Sequence, residues 1–142
     1  MTERRRSVQW AAQFLAAAEL ERAGYDVAFT MGNSTPVADL MVGNPVTGEQ
    51  FWVDVKGLQS RNAWFGKRKG ARPNLYYALV FVGSDRSKDM FFVLTQAEFN
   101  DLVQKYDRDH PGQIKQGGFA WGAPLGFENK WAKLPGWQPK SN

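Results

Sequence analysis

Two carboxylates and a lysine, Asp39 and the run Asp54-Val55-Lys56, stand with fourteen residues between Asp39 and Asp54 in a chain with few other groups suited to catalysis. The segment between them contains Gly43-Asn44-Pro45-Val46-Thr47-Gly48, a turn by composition. Pairing the flanking strands symmetrically about Val46-Thr47 sets Asp39 directly opposite Asp54. Opposed residues have Cβ atoms about 4.5–5.5 Å apart, and like charges that close destabilise a sheet unless a cation or proton neutralises them. A shared Mg²⁺ would do so, since it takes a few carboxylates together with waters and substrate phosphate. Lys56 lies two residues beyond Asp54 and so projects from the same face. There its ammonium could orient, or once deprotonated activate, a water attacking phosphorus. Phe51, Val53 and Val55 give the strand an apolar opposite face. An ordinary amphipathic strand with Asp54 and Lys56 at the surface has the same spacing, so the neighbouring elements have to discriminate.

Composition narrows the alternatives. The 142 residues suit one domain, 43% apolar and 14% aromatic, which favours a packed globular chain over a disordered one. The absence of cysteine excludes disulfides and thiolate metal sites, and a single histidine excludes a His-rich zinc site, leaving oxygen ligands for any metal. No apolar run reaches the length of a membrane span, and Met-Thr-Glu-Arg-Arg-Arg leads into an amphipathic helix rather than a signal-peptide core, so the cytoplasm is the expected location. The net charge of +4 is mild. Its distribution says more: Gly57 to Asn74 carries Arg61, Lys67, Arg68, Lys69 and Arg72 with no acidic residue among them. A positive field beside the carboxylates would attract a polyanion such as DNA.

The elements that must position these groups follow from pattern. Arg6 to Ala23 is expected as a helix stopped by Gly24, with Gln13, Ala17 and Leu20 on its buried stripe and Trp10, Phe14 and Ala18 widening it. Strands are expected over Tyr25–Thr30, Val37–Val42, Gln50–Lys56, Leu75–Val82 and Met90–Leu94. Thr95-Gln-Ala-Glu98 is a capping-box pattern opening a second helix to about Tyr106. The Gly-, Pro- and Trp-rich residues from 113 to 142 form an irregular wrap around a core of about residues 8–107, with a short helix near Phe127 to Ala132. The fold class is therefore α/β: four or five mostly antiparallel strands in one central sheet flanked by helices.

In this order the elements resemble the core of the PD-(D/E)XK nuclease superfamily, which includes restriction endonucleases and Holliday-junction resolvases. The likeness rests on Asp39-x14-Asp54-Val55-Lys56 and on the helix–strand–strand text FLAAAELERAGYDVAFTMGNSTPVADLMV…GEQFWVDVKGLQSR, and it covers about residues 8 to 94. It implies a mixed, restriction endonuclease-like sheet and Mg²⁺- or Mn²⁺-dependent hydrolysis of phosphodiester bonds in DNA. By that analogy Asp39 and Asp54 are metal ligands, the Val55 carbonyl is a further ligand, and Lys56 is the catalytic lysine. Many members carry a glutamate on the first helix; the corresponding position here is Gln13, which brings hydrogen bonds but no charge. The substitution keeps open a catalytically inactive nuclease-fold protein that binds nucleic acid or a partner protein.

The expected nucleic-acid surface is Arg61, Trp64, Lys67, Arg68, Lys69 and Arg72, with Trp64 and Phe65 able to stack on a base or wedge into a groove. A solvated mobile loop has the same composition. Ser34 and Thr35 before Asp39, and Arg4-Arg5-Arg6 at the helix start, are weaker candidates for phosphate contact. Family analogy adds a homodimer or a protein partner, and nothing in the sequence points to a membrane.

Overall fold

The computed structural model describes residues 3–30 and 38–138. Alanine and leucine carry the first helix, α1 (Glu3–Arg22), and Gly24 at φ +100° ends it. Tyr25 N–H donates back to Leu20 O at 3.1 Å and Gly24 N–H to Glu21 O at 2.9 Å, a Schellman closure. Then come β1 (Asp26–Phe29), β2 (Leu40–Gly43), β3 (Gln50–Leu58), β4 (Trp64–Phe65), β5 (Leu75–Phe81), β6 (Met90–Thr95), α2 (Gln96–Asp109) and β7 (Gly118–Phe119). The expected capping box is formed at Thr95 and Glu98, fixing the first turn of α2.

The fold is α/β, with a five-stranded mixed sheet in the order β1-β2-β3-β5-β6. All neighbouring pairs are antiparallel except β3 and β5. That parallel pair requires a long crossover, here residues 59–74, rather than a tight turn. The crossover contains β4, which pairs with β7 in a small second sheet that sequence pattern did not predict. Two-residue strands carry too little alternation to be read.

Both faces of the sheet are covered. On one, Ala12, Ala16 and Leu20 of α1 pack with Leu40, Val42, Phe51, Val53 and Val55. On the other, Tyr77, Leu79, Phe92 and Leu94 pack against Phe99 and Val103 of α2. The buried stripe of α1 includes Gln13, Ala17 and Leu20 as expected but widens the other way, through Val8, Ala12 and Ala16, leaving Phe14 58% exposed. Size decides this. A Cβ on Gly57 of β3 would lie 2.6 Å from the Ala12 Cβ, so the helix rests almost backbone to backbone on the strand. Nothing larger than alanine fits on the helix at that contact.

The C-terminal segment wraps the sheet through its aromatics: Trp131 lies 5.8 Å from Phe91 and Trp121 5.6 Å from Phe81, ring centre to ring centre. Leu134 is buried in the α1-side core, and Tyr25 O–H donates to Pro135 O at 2.8 Å. Two 3₁₀ turns, Ala123–Phe127 and Trp131–Lys133, occur where one short helix was expected.

Candidate active site

β2 and β3 stay paired down to Leu40 opposite Val53, the register of a turn centred on Val46-Thr47. The next pair along is Asp39 and Asp54, but Asp39 already lies one residue outside β2. Beyond this point β3 continues while its partner has ended. Its N–H and C=O groups on that side therefore need other partners, because buried backbone polar groups are costly to leave unpaired. Side chains supply them. Val55 N–H donates to Asp39 Oδ2 at 2.8 Å, Gln9 Nε2 donates to the Val55 carbonyl at 2.7 Å, and Gly57 N–H donates to Gln9 Oε1 at 3.2 Å. The close seating of α1 on Gly57 brings Gln9 within reach.

Gln13, one turn further along α1 and 7% exposed, donates from Nε2 to Asp39 Oδ1 at 3.4 Å. The Asp39 backbone is held from the other side, where Thr30 N–H donates to its carbonyl at 3.0 Å. Asp39 is thus fixed by β1, by β3 and by the helix together.

Asp54 and Lys56 project from the other face of β3. Asp54 is 7% exposed, so this is no open polar face. It sits beside Tyr77 of β5 in register, at the margin of the α2-side core. Lys56 Nζ lies 3.0 Å from Asp54 Oδ2, an ion pair in which that buried oxygen has no aligned hydrogen bond. The lysine stem runs beside Gly66, where a Cβ would lie 3.1 Å from Lys56 Cε and 2.6 Å from Phe99 Cζ. Any larger residue at 66 would displace the lysine or the ring.

The two carboxylates interact strongly. Burial first, then the charge and hydrogen bonding of Asp54, push the Asp39 carboxyl up to about 7, against the opposing pull of the Val55 N–H and the Lys56 ammonium. Burial and then Asp54 also raise the Tyr77 phenol, whose buried hydroxyl has no hydrogen-bond partner among the described residues. A carboxyl whose proton is held by burial and then by its neighbour, next to an oxygen lacking an aligned donor, is a donor set that a divalent cation fits. Among the described residues, however, no group of three or more acidic or histidine side chains is placed to hold a metal. Any ion would rest on Asp39, Asp54 and backbone or water oxygens. The Val55 carbonyl already accepts from Gln9, leaving one of its two lone pairs.

The basic segment is divided. Lys67, Arg68, Lys69 and Arg72 are exposed. Arg61 is also exposed, with its guanidinium 4.5 Å from the Trp121 ring centre. Trp64 does not serve as a base-stacking residue: it is 1% exposed, packed against Phe92 and donating from Nε1 to Trp121 O at 3.1 Å. Its neighbour Phe65 is the exposed ring, as alternation along a strand requires. Ser34 and Thr35 lie outside the described residues, as do the side chains of Arg4, Arg5 and Arg6.

Sequence reasoning missed Gln9, Gly66 and Tyr77. Gln9 had a signal, standing one helical turn before Gln13 and so on the same side of α1. Gly66 and Tyr77 had none, because their roles depend on the crossover and on the parallel register of β5.

No family model, no curated protein and no solved structure matches this chain. No helix among the described residues is long and apolar enough to cross a membrane.

Proposed function

We propose that this chain is a Mg²⁺- or Mn²⁺-dependent endonuclease that hydrolyses phosphodiester bonds in DNA, acting in the cytoplasm. The observation that carries this reading is the convergence of three groups in a largely buried setting: Asp39 in side-chain hydrogen-bond contact with Asp54, and Lys56 at 3.0 Å from Asp54. In it, Asp39 and Asp54 would hold the metal, with the Val55 carbonyl as a further oxygen. The bound ion would supply charge stabilisation at the phosphoryl oxygens and a lowered pKa for a bound water. Lys56 orients the attacking water, its ammonium held by Asp54 and its stem occupying space that only a glycine at 66 leaves free. Gln13 and the Val55 N–H hold Asp39 in the orientation the site needs. Resemblance to the PD-(D/E)XK superfamily supports the same assignment. Specificity would come from the basic loop, from a second copy of the chain or from a protein partner.

One observation favours a second reading. Gln13 occupies the helix position where that superfamily often has a carboxylate, and it touches Asp39 without adding charge. A protein with this site could bind DNA or a partner protein without cutting.

Calorimetric titration with Mn²⁺ tests the metal assignment. The wild type should bind the ion, and Asp39→Asn and Asp54→Asn should each weaken binding by at least about tenfold, no less than the loss typical of removing an outer-shell partner of a metal ligand. Wild-type protein that takes up no Mn²⁺, with both variants indistinguishable from it, removes the metal from the proposal.

A further inference from the structure

The cationic loop after Lys56 is held by its backbone. Gln96, 7% exposed in the first turn of α2, donates from Nε2 to Gly70 O at 3.0 Å and accepts at Oε1 from Arg72 N–H at 2.8 Å. One turn on, Asn100 Nδ2 donates to Lys69 O at 3.1 Å. The helix end bearing these amides is itself fixed by its capping box and by the Glu98–Lys133 pair at 2.6 Å. The loop's start is fixed by β4, where Gly66 N–H donates to Gly117 O at 3.1 Å. Both ends and the middle of the segment are therefore tied down by uncharged groups, while Lys67, Arg68, Lys69 and Arg72 remain exposed.

The loop lines a cleft of about 790 Å³ together with Lys115, and with Asp101 and Asp107 of α2. Lys67, Arg68, Lys69 and Lys115 outnumber the two carboxylates, so the cleft is net positive, and its lining begins at Lys67, the residue after the Gly66 that borders the Lys56 stem.

We propose that Lys67–Arg72 is a preorganised surface for the sugar–phosphate backbone of DNA, and that Gln96 and Asn100 are its positioning residues. The inference rests on the DNA reading above and adds to it the device that presents the charges. Ordering a free loop on binding costs affinity, because each fixed residue loses conformational entropy. A loop already pinned by α2 avoids that loss. The clamp carries no charge, so removing it leaves the electrostatics intact and isolates the contribution of order.

Fluorescence anisotropy with a labelled DNA duplex, in EDTA so that no cutting intervenes, tests this across a salt series. The Lys67→Ala/Arg68→Ala/Lys69→Ala variant should bind weakly, with the slope of log K against log salt reduced by up to about three. Gln96→Met with Asn100→Ala should weaken binding by roughly tenfold while keeping the wild-type salt slope, since the same phosphates are contacted once bound. Asn100→Ala alone, at a partly buried position of α2, gives the same direction at a smaller size if the double variant folds poorly. Clamp variants that bind like wild type, beside a charge variant that does not, overturn the preorganisation. A charge variant that binds like wild type overturns the assignment of the loop to DNA, whatever the metal site does.

Discussion

At the scale of single residues, Asp39 concentrates the conflict in this protein. Its carboxyl is placed against that of Asp54 and partly removed from water, and the folded protein responds by retaining a proton up to about pH 7. An unfolded aspartate gives up its proton near pH 4. Between these values the folded state binds more protons than the unfolded state, so stability falls as pH rises through that window. Asp39→Asn should remove this slope and raise the melting temperature above pH 7, each kcal/mol of relief being worth roughly 4 °C in a chain of this size, while weakening Mn²⁺ binding. Thermal unfolding from pH 4 to 8 reads the effect; a slope unchanged in the variant would show that Asp39 carries no such strain. A residue that destabilises the metal-free protein is expected where function, rather than folding, selects the side chain. The opposition of Asp39 and Asp54 was legible in the sequence, because the turn composition fixed the register and the register fixed the pair. The burial of Trp64 was not. Its exposure depends on β7, more than fifty residues away.

At the scale of elements, the site is built where β2 stops and α1 takes over. Helix, strand end and strand edge meet at β3 because α1 can approach closely, and Gly57 permits that approach. Gly57→Ala should cost roughly 1–3 kcal/mol through overpacking against Ala12 and should shift Gln9 off the Val55 and Gly57 backbone. Denaturant unfolding measures the first effect, and faster amide exchange at position 57 reports the second. An alanine variant as stable as wild type, with that amide equally protected, would mean that the helix seat is looser than its geometry implies. The helix itself was legible from its alanines, leucines and terminal glycine. Which way its buried stripe widened was not, because alanine on several sides leaves hydrophobicity nearly uniform and lets contact distance choose the face.

At the scale of the whole molecule, one sheet covered on both faces leaves its functional groups at a seam. Gln9, Gln13 and Asp39 reach the seam from the α1 side, while Asp54 and Lys56 reach it from the α2 side. The crossover 59–74 then carries the positive charges away from Lys56 along α2, where Gln96 and Asn100 hold them. The α/β class followed from the order of elements, and the mixed sheet from the resemblance. The β4–β7 pair and the clamp on the loop depend on contacts between remote segments, which local pattern does not encode. The central claim joins these parts into one activity, and cleavage is its most direct test. Supercoiled plasmid and a panel of nicked, flapped and branched DNA should be cut by the wild-type protein in Mg²⁺ or Mn²⁺, not in EDTA, and not by Asp54→Ala or Lys56→Ala variants that retain the fold. A protein that binds these substrates and Mn²⁺ yet leaves every one intact would contradict the catalytic claim and leave the DNA-binding, catalytically silent reading in its place.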